Sequence, residues 1–193
     1  MICCLICNFS PLSALGGADH ARGWDYLQKA QQKGDAMKIS RYDSMIDKSG
    51  AVYLRETGSF NIDGRRVYSS PDALAEFFGD VIGIRQAAEE HVYVACLDTK
   101  NHIVGCFEAS HGSVNASMFP VREILQKSLM IGAVNIAMSH NHPSGDYTPS
   151  TDDAASTKRL KHACDICGIG LLDHIIVASN NPGYFGFYEN NMM

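Results

Sequence analysis

Basic charge is scarce in this chain. Lys and Arg number 16 against 21 Asp and Glu in 193 residues, a formal charge of -5 with a pI near 5.9. Sequence-independent binding to nucleic acid draws its free energy from Lys and Arg replacing counterions on phosphates, so this balance argues against a strong direct grip on DNA or RNA. The one local cluster of cations, Lys158, Arg159 and Lys161, reads as a solvated helix face. Long apolar runs are missing too, which argues against a membrane-spanning helix. Residues Met1 to Leu15 lack the Lys or Arg that opens a signal peptide and are interrupted by Asn8 and Pro11. The 7 cysteines are odd in number and irregularly spaced from Cys3 to Cys167, which is not a disulfide framework and fits a reducing cytoplasm. Two Cys-x-x-Cys pairs, Cys4/Cys7 and Cys164/Cys167, have the spacing of a four-thiolate zinc site, but the second pair falls in a helical pattern and reads as one buried stripe.

What is present, 46% hydrophobic and 19% charged residues over this length, is enough for one soluble domain with a sizeable core, and leaves oligomerisation open. Patterning is weak over residues 1–69, where the clearest feature is a hairpin through Gly58 and Gly64. Met37-Lys38-Ile39-Ser40-Arg41 reads like an ordinary cytoplasmic N-terminus, leaving residues 1–36 as an extension or an artefact of start-codon choice. From residue 70 the signals sharpen, so a domain is drawn over 70–193 with 1–69 as an N-terminal extension. Ser70-Pro71-Asp72 caps a helix carrying Leu74, Phe77, Phe78 and Val81 toward Gly83. Val92–Leu97 is a buried strand, Ile103–Phe107 its partner, and Pro120 opens a helix with Val121, Ile124, Leu125 and Leu129 on one face. Ala133–Met138 is a short strand, Pro143–Pro149 a loop, and Ser150 with Asp153 a capping-box start to a helix carrying Ala154, Ala155, Leu160 and Ala163. Leu171–Ala178 and Tyr184–Tyr188 complete an alternation of strands and helices, hence an α/β sandwich.

The strand at 133–138 runs directly into His140-Asn141-His142. Residues i and i+2 of an extended chain point the same way, so the two imidazoles can meet at one point. Zinc takes imidazole nitrogen and carboxylate oxygen at about 2.0–2.2 Å, and Asp153, in the first turn of the next helix, is the best-placed further ligand. Each residue also has a plain structural account: with 8 histidines such a pair arises by chance, and Ser150 and Asp153 are already explained as a helix cap. Spacing alone leaves metal site and cap as equal readings. The binuclear pattern His-x-His-x-Asp-His does not apply, since Pro143 follows His142 and Asp146 has no adjoining His. The letters His-Asn-His are also no nuclease triad, because in that class the three residues are not a consecutive metal set.

The wider text decides between these readings. His140-x-His142, Ser150 and Asp153 at this spacing resemble the signature of the JAMM (MPN+) metalloprotease superfamily. His140-Asn141-His142-Pro143-Ser144-Gly145-Asp146, with Thr148-Pro149-Ser150, Leu97-Asp98-Thr99-Lys100-Asn101, Arg122-Glu123 and Leu171-Leu172-Asp173-His174-Ile175-Ile176, resembles its RadC-like branch over roughly 70–188. That resemblance implies an α/β fold with a mixed central sheet flanked by helices, the cytidine-deaminase-like (JAB/MPN) fold. It also implies one zinc ion on His140, His142 and Asp153, with Ser150 polarising a substrate carbonyl. A glutamate opening the first core strand would be the general base, which points to Glu90, with Glu89, Glu108 and Glu123 as competitors.

The implied activity is a zinc-dependent hydrolase of peptide or isopeptide bonds, acting on a peptide or protein in the cytoplasm. The alternative is a non-enzymatic interaction module in a DNA repair or mobile-element setting, and a nuclease ranks third for want of a second metal and a basic cleft. Two departures from the RadC-like text stand out. Residues 1–69 show no helix-hairpin-helix text, and Arg122-Glu123 follows Pro120-Val121 where the family usually reads Pro-Arg-Glu. Asp173-His174 matches the family text and has two readings, side chains that support the metal ligands or touch substrate, and a structural pair at a strand entrance; the structural one is preferred.

Overall fold

Val92–Leu97 alternates between two apolar environments, and this places it at the centre of a sheet covered on both faces. Val92, Val94 and Cys96 join one buried cluster, while Tyr93, Ala95 and Leu97 join another. The computed structural model describes residues 36–64, 66–112 and 119–193. Seven strands form one mixed sheet: β1 (Ala36–Ile46), β2 (Val52–Asp63), β3 (His91–Leu97), β4 (Ile103–His111), β5 (Asn135–His142), β6 (Gly170–Ala178) and β7 (Asn181–Gly186). Their order is β2-β1-β4-β3-β5-β6-β7, with β1/β4 and β5/β6 parallel and the other pairs antiparallel. Helix α1 (Pro71–Glu76) lies over one face, and α2 (Val121–Ile131) and α3 (Thr151–Cys167) over the other. The α/β architecture with a mixed sheet flanked by helices is therefore the one expected, the JAB/MPN fold.

Several elements differ from the sequence reading for identifiable reasons. The hairpin turns at Asp47–Gly50, where the Asp47 carboxylate accepts from the Ser49 and Ala51 amides and Gly50 takes φ 87; Gly58 lies inside β2, next to a bulge at Arg41/Tyr42. β1 and β2 lie before residue 70 yet extend the same sheet, and Ile39 and Ile62 are buried in its core. Ser70 does cap α1, accepting from the Ala73 amide, but the chain then widens into a π-helical stretch, Phe77–Ile82. Leu129 is 54% exposed, and Ser128 takes the buried position instead. Along α3 the buried stripe is Ser156, Thr157, Leu160 and Cys164; Ala155 and Cys167 face outward, so the Cys164/Cys167 pair is not one buried stripe. Cys4 and Cys7 lie outside the described residues. Among the described residues no helix is long and apolar enough to cross a membrane.

The sheet presents one end of β5 to the start of α3. β5 runs on through both histidines, with Ile136, Met138 and His140 on the α2/α3 face and Ala137 and Asn141 turned the other way. Its end is pinned because the His142 carbonyl accepts from the Gly145 and Ser179 amides at 3.3 and 3.1 Å. Gly145 is required at the turn between them: it takes φ 86, and a Cβ there would lie 3.3 Å from the Ser179 carbonyl oxygen.

Candidate metal centre

Three side chains from two elements converge where β5 meets α3. His140 is 4% exposed, and its Nε2 lies 3.0 Å from His142 Nε2 and 3.5 Å from Asp153 Oδ1. His142 Nε2 is 3.8 Å from Asp153 Oδ2. Asp153 is held by the cap predicted for it. Its Oδ2 accepts from the Ser150 amide at 2.9 Å and the Ser150 hydroxyl at 2.6 Å, while the Asp153 amide donates back to Ser150 Oγ. Cap and candidate metal ligand are thus one arrangement: the capping box leaves Oδ1 turned toward the histidines.

The hydrogen-bond network also assigns the tautomers. Thr157 Oγ1 lies 2.7 Å from the Asp153 carbonyl oxygen, which can only accept, so the threonine proton points there. The same oxygen, 2.6 Å from His174 Nδ1, must then accept that N–H. His174 Nε2 is left bare and accepts from His140 Nδ1 at 2.8 Å, which leaves His140 Nε2 bare in turn. His142 reaches the same state separately, since its Nδ1 donates to the Asp146 carbonyl at 2.7 Å. Two imidazole lone pairs and a carboxylate oxygen therefore face one another with no proton among them. The missing partner of such a donor set is a cation, and the ligand types suit a tetrahedral site with one open position.

Burial keeps the His140 imidazole, and the His174 ring behind it, neutral. It pushes His140 down to about 4, outweighing the pull of Asp153, and holds His174 well below the usual histidine range, with His140 and His142 adding to the effect. Phe119 packs edge-on to His174, and Phe187 stacks on it at 4.5 Å, closing the inner side of the centre.

The candidate glutamates separate by position. Glu90 lines a small cleft together with Val92, Ser110, Phe119, His140 and Asp153. Glu89 instead pairs with His111 at 2.6 Å, and Glu108 with His91 at 2.7 Å and Arg41 at 2.9 Å. Glu123 sits beside Arg122 in the first turn of α2. His91, Glu108 and His111 form a second cluster of ligand-type side chains, on the far side of the sheet. It lacks what the first one has: each imidazole shares a proton with a carboxylate, and the two rings stack at 4.0 Å in nearly parallel planes, so their in-plane lone pairs do not meet.

A profile of the RadC-like JAB domain matches residues 68–192. The chain belongs to the RadC-like JAB domain family. A UPF0758 protein of Clostridium novyi is 39% identical over 134 residues, covering 66% of this chain and 58% of its own length. One from Pelobacter propionicus is 34% identical over 165 residues, 82% of this chain and 70% of its own, and one from Shouchella clausii is 44% identical over 114 residues, 58% and 48%. The match thus spans 48–70% of the length of these three relatives.

Two contributors, Thr157 and Asn141, lie outside the site expected from sequence. Of the two readings of Asp173-His174, support for the site or a structural pair, each residue takes one: Asp173 Oδ1 accepts from the His174 and Tyr188 amides, whereas the His174 ring hydrogen-bonds His140. Thr157 and Asn141 are fully buried polar residues. For Thr157 a signal did exist, because it lies on the helical stripe of Leu160 and Cys164, where a polar residue needs a buried partner.

Proposed function

We propose that the chain is a zinc-dependent hydrolase of the RadC-like JAMM type, which cleaves a peptide or isopeptide bond. The observation that carries this reading is the meeting of two unprotonated Nε2 atoms, 3.0 Å apart, with the Asp153 carboxylate in a cleft that Glu90 also lines. His140, His142 and Asp153 would hold a zinc ion, which when bound would supply a Lewis acid that brings the pKa of a water toward neutrality. Glu90 is free of the ion pairs that occupy Glu89 and Glu108, so its carboxylate is available as general base. It takes a proton from the attacking water as the new C–O bond forms, and delivers it to the amine nitrogen as the C–N bond breaks. Ser150 holds Asp153, and its hydroxyl serves the substrate carbonyl only by exchanging that bond for a new one.

The interaction-module reading keeps the fold without turnover, and a carboxylate beside the donor set is what speaks for the enzyme. The test is incubation of the zinc-loaded chain with libraries of linear peptides and isopeptide-linked peptides, read by mass spectrometry. Cleavage lost in Glu90→Gln with zinc retained supports the proposal. Equal cleavage by Glu90→Gln contradicts the role of Glu90, and zinc-loaded protein that cleaves nothing favours the module.

A further inference from the structure

Between the two histidines stands a residue whose side chain must point away from them, because alternation in β5 turns Asn141 to the opposite face of the sheet. It is fully buried, and among the described residues its side-chain hydrogen bonds all go to one segment of chain. Asn141 Oδ1 accepts from the His91 amide at 2.8 Å, and Nδ2 donates to the Glu89 carbonyl at 2.9 Å and the Ala87 carbonyl at 3.4 Å. An N–H on one side and two carbonyls on the other leave the amide a single orientation. The residue held between these contacts is Glu90, whose own carbonyl accepts from the Gly112 amide at 2.8 Å.

From this we infer that Asn141 is a positioning residue for Glu90: it ties the strand bearing His140 and His142 to the backbone on either side of the base. The inference rests on the zinc-hydrolase reading and adds to it the device that sets the base against the metal ligands. Glu90 immediately precedes β3, after a 3-10 turn at Ile84–Gln86, and among the described residues no side-chain hydrogen bond or ion pair fixes the Glu90 carboxylate itself. Its location is therefore set through the backbone, and Asn141 is the buried side chain that holds that backbone to β5. The neighbouring pairs His91/Glu108 and His111/Glu89 hold the flanking side chains on the far face, so Glu90 alone of the three consecutive residues turns to the cleft.

The test needs no substrate. Acetohydroxamate is a small zinc-binding probe whose N–H and O–H groups offer protons to a nearby carboxylate, so its affinity for the zinc-loaded full chain reads the position of Glu90. Calorimetry is run on wild type, Glu90→Gln, Asn141→Ala and the double variant, with zinc content measured on each. Asn141→Ser, whose hydroxyl leaves a polar group in the buried position, replaces Asn141→Ala should the latter not fold.

Expected are one zinc per chain throughout, a loss of about 10-fold or more in probe affinity for each single variant, and a double variant no weaker than Glu90→Gln alone. A purely structural role for Asn141 lowers the melting temperature without this coupling. Zinc-loaded Asn141 variants that bind the probe like wild type, or losses that add in the double variant, overturn the inference and leave the Glu90 reading standing. Glu90→Gln binding the probe like wild type, or a wild-type chain that takes no zinc, overturns that reading and this inference with it.

Discussion

Thr157 on α3 and His174 on β6 meet at 2.6 Å, oxygen to Nδ1, and that contact decides which nitrogen of His140 faces the metal centre. The threonine proton is committed to the Asp153 carbonyl, so the direction of every later bond in the chain to His140 follows. One ligand's backbone thereby sets another ligand's tautomer.

Thr157→Val keeps the shape and removes the acceptor. The buried His174 N–H then lacks a partner, which costs about 1–3 kcal/mol in the metal-free protein. Zinc affinity should fall about 10–100-fold, the usual effect of losing an outer hydrogen bond to a ligand. Competition with a chelator measures the second effect and denaturant unfolding the first, and Thr157→Ser should recover most of both. Unchanged zinc affinity in Thr157→Val would sink the tautomer assignment.

Ser150→Ala removes the helix cap and one of the two donors that Ser150 gives to Asp153 Oδ2. The cap alone is worth about 1 kcal/mol. Zinc affinity should drop as well, but less than in Asp153→Ala, which removes the ligand. Thermal unfolding with and without zinc separates the two, because loss of ligand orientation shrinks the stabilisation that zinc confers.

Asp173 carries the clearest pH dependence. Burial, with Glu189 adding to it against the amides that donate to Oδ1, pushes its carboxyl up to about 6. The folded protein thus holds this proton at a pH where the unfolded chain has released it. The Asp173 contribution to stability is greatest below the ordinary carboxylate range near pH 4 and is lost as pH rises to about 6. Asp173→Asn titrates nowhere, and its amide nitrogen falls on the Oδ2 side, where the buried oxygen has no partner among the described residues and Glu189 is close by. The variant should gain on wild type from pH 4 to 7, by up to about 3 kcal/mol at neutrality. Urea midpoints across that range check the sign: a gain that grows toward low pH contradicts it.

How much of this was legible depends on what kind of signal each residue carries. The runs Val92–Leu97 and Leu171–Ala178 were readable as strands because both faces are apolar, and Ser150 with Asp153 as a cap because capping is local in sequence. β1 and β2 were not, since a hairpin at a sheet edge buries little beyond Ile39 and Ile62 and leaves scant periodicity. The candidate metal ligands were visible through spacing and family text, but Thr157, His174 and Asn141 act through polar contacts 17 to 54 positions apart in the chain, which no local pattern encodes. Leu129 misled for the opposite reason: it fits the helical period of α2, but at that end of the helix Ser128 and Ile131 face the sheet and Leu129 turns to solvent.

The most direct test of the central claim is a crystal structure of the zinc-soaked protein with anomalous data collected at the zinc edge. One peak should appear, bonded to Nε2 of His140, Nε2 of His142 and a carboxylate oxygen of Asp153 at about 2.0–2.2 Å. Bonding through Nδ1 of either histidine, a peak at His91, Glu108 and His111 instead, or no zinc at full occupancy would contradict it.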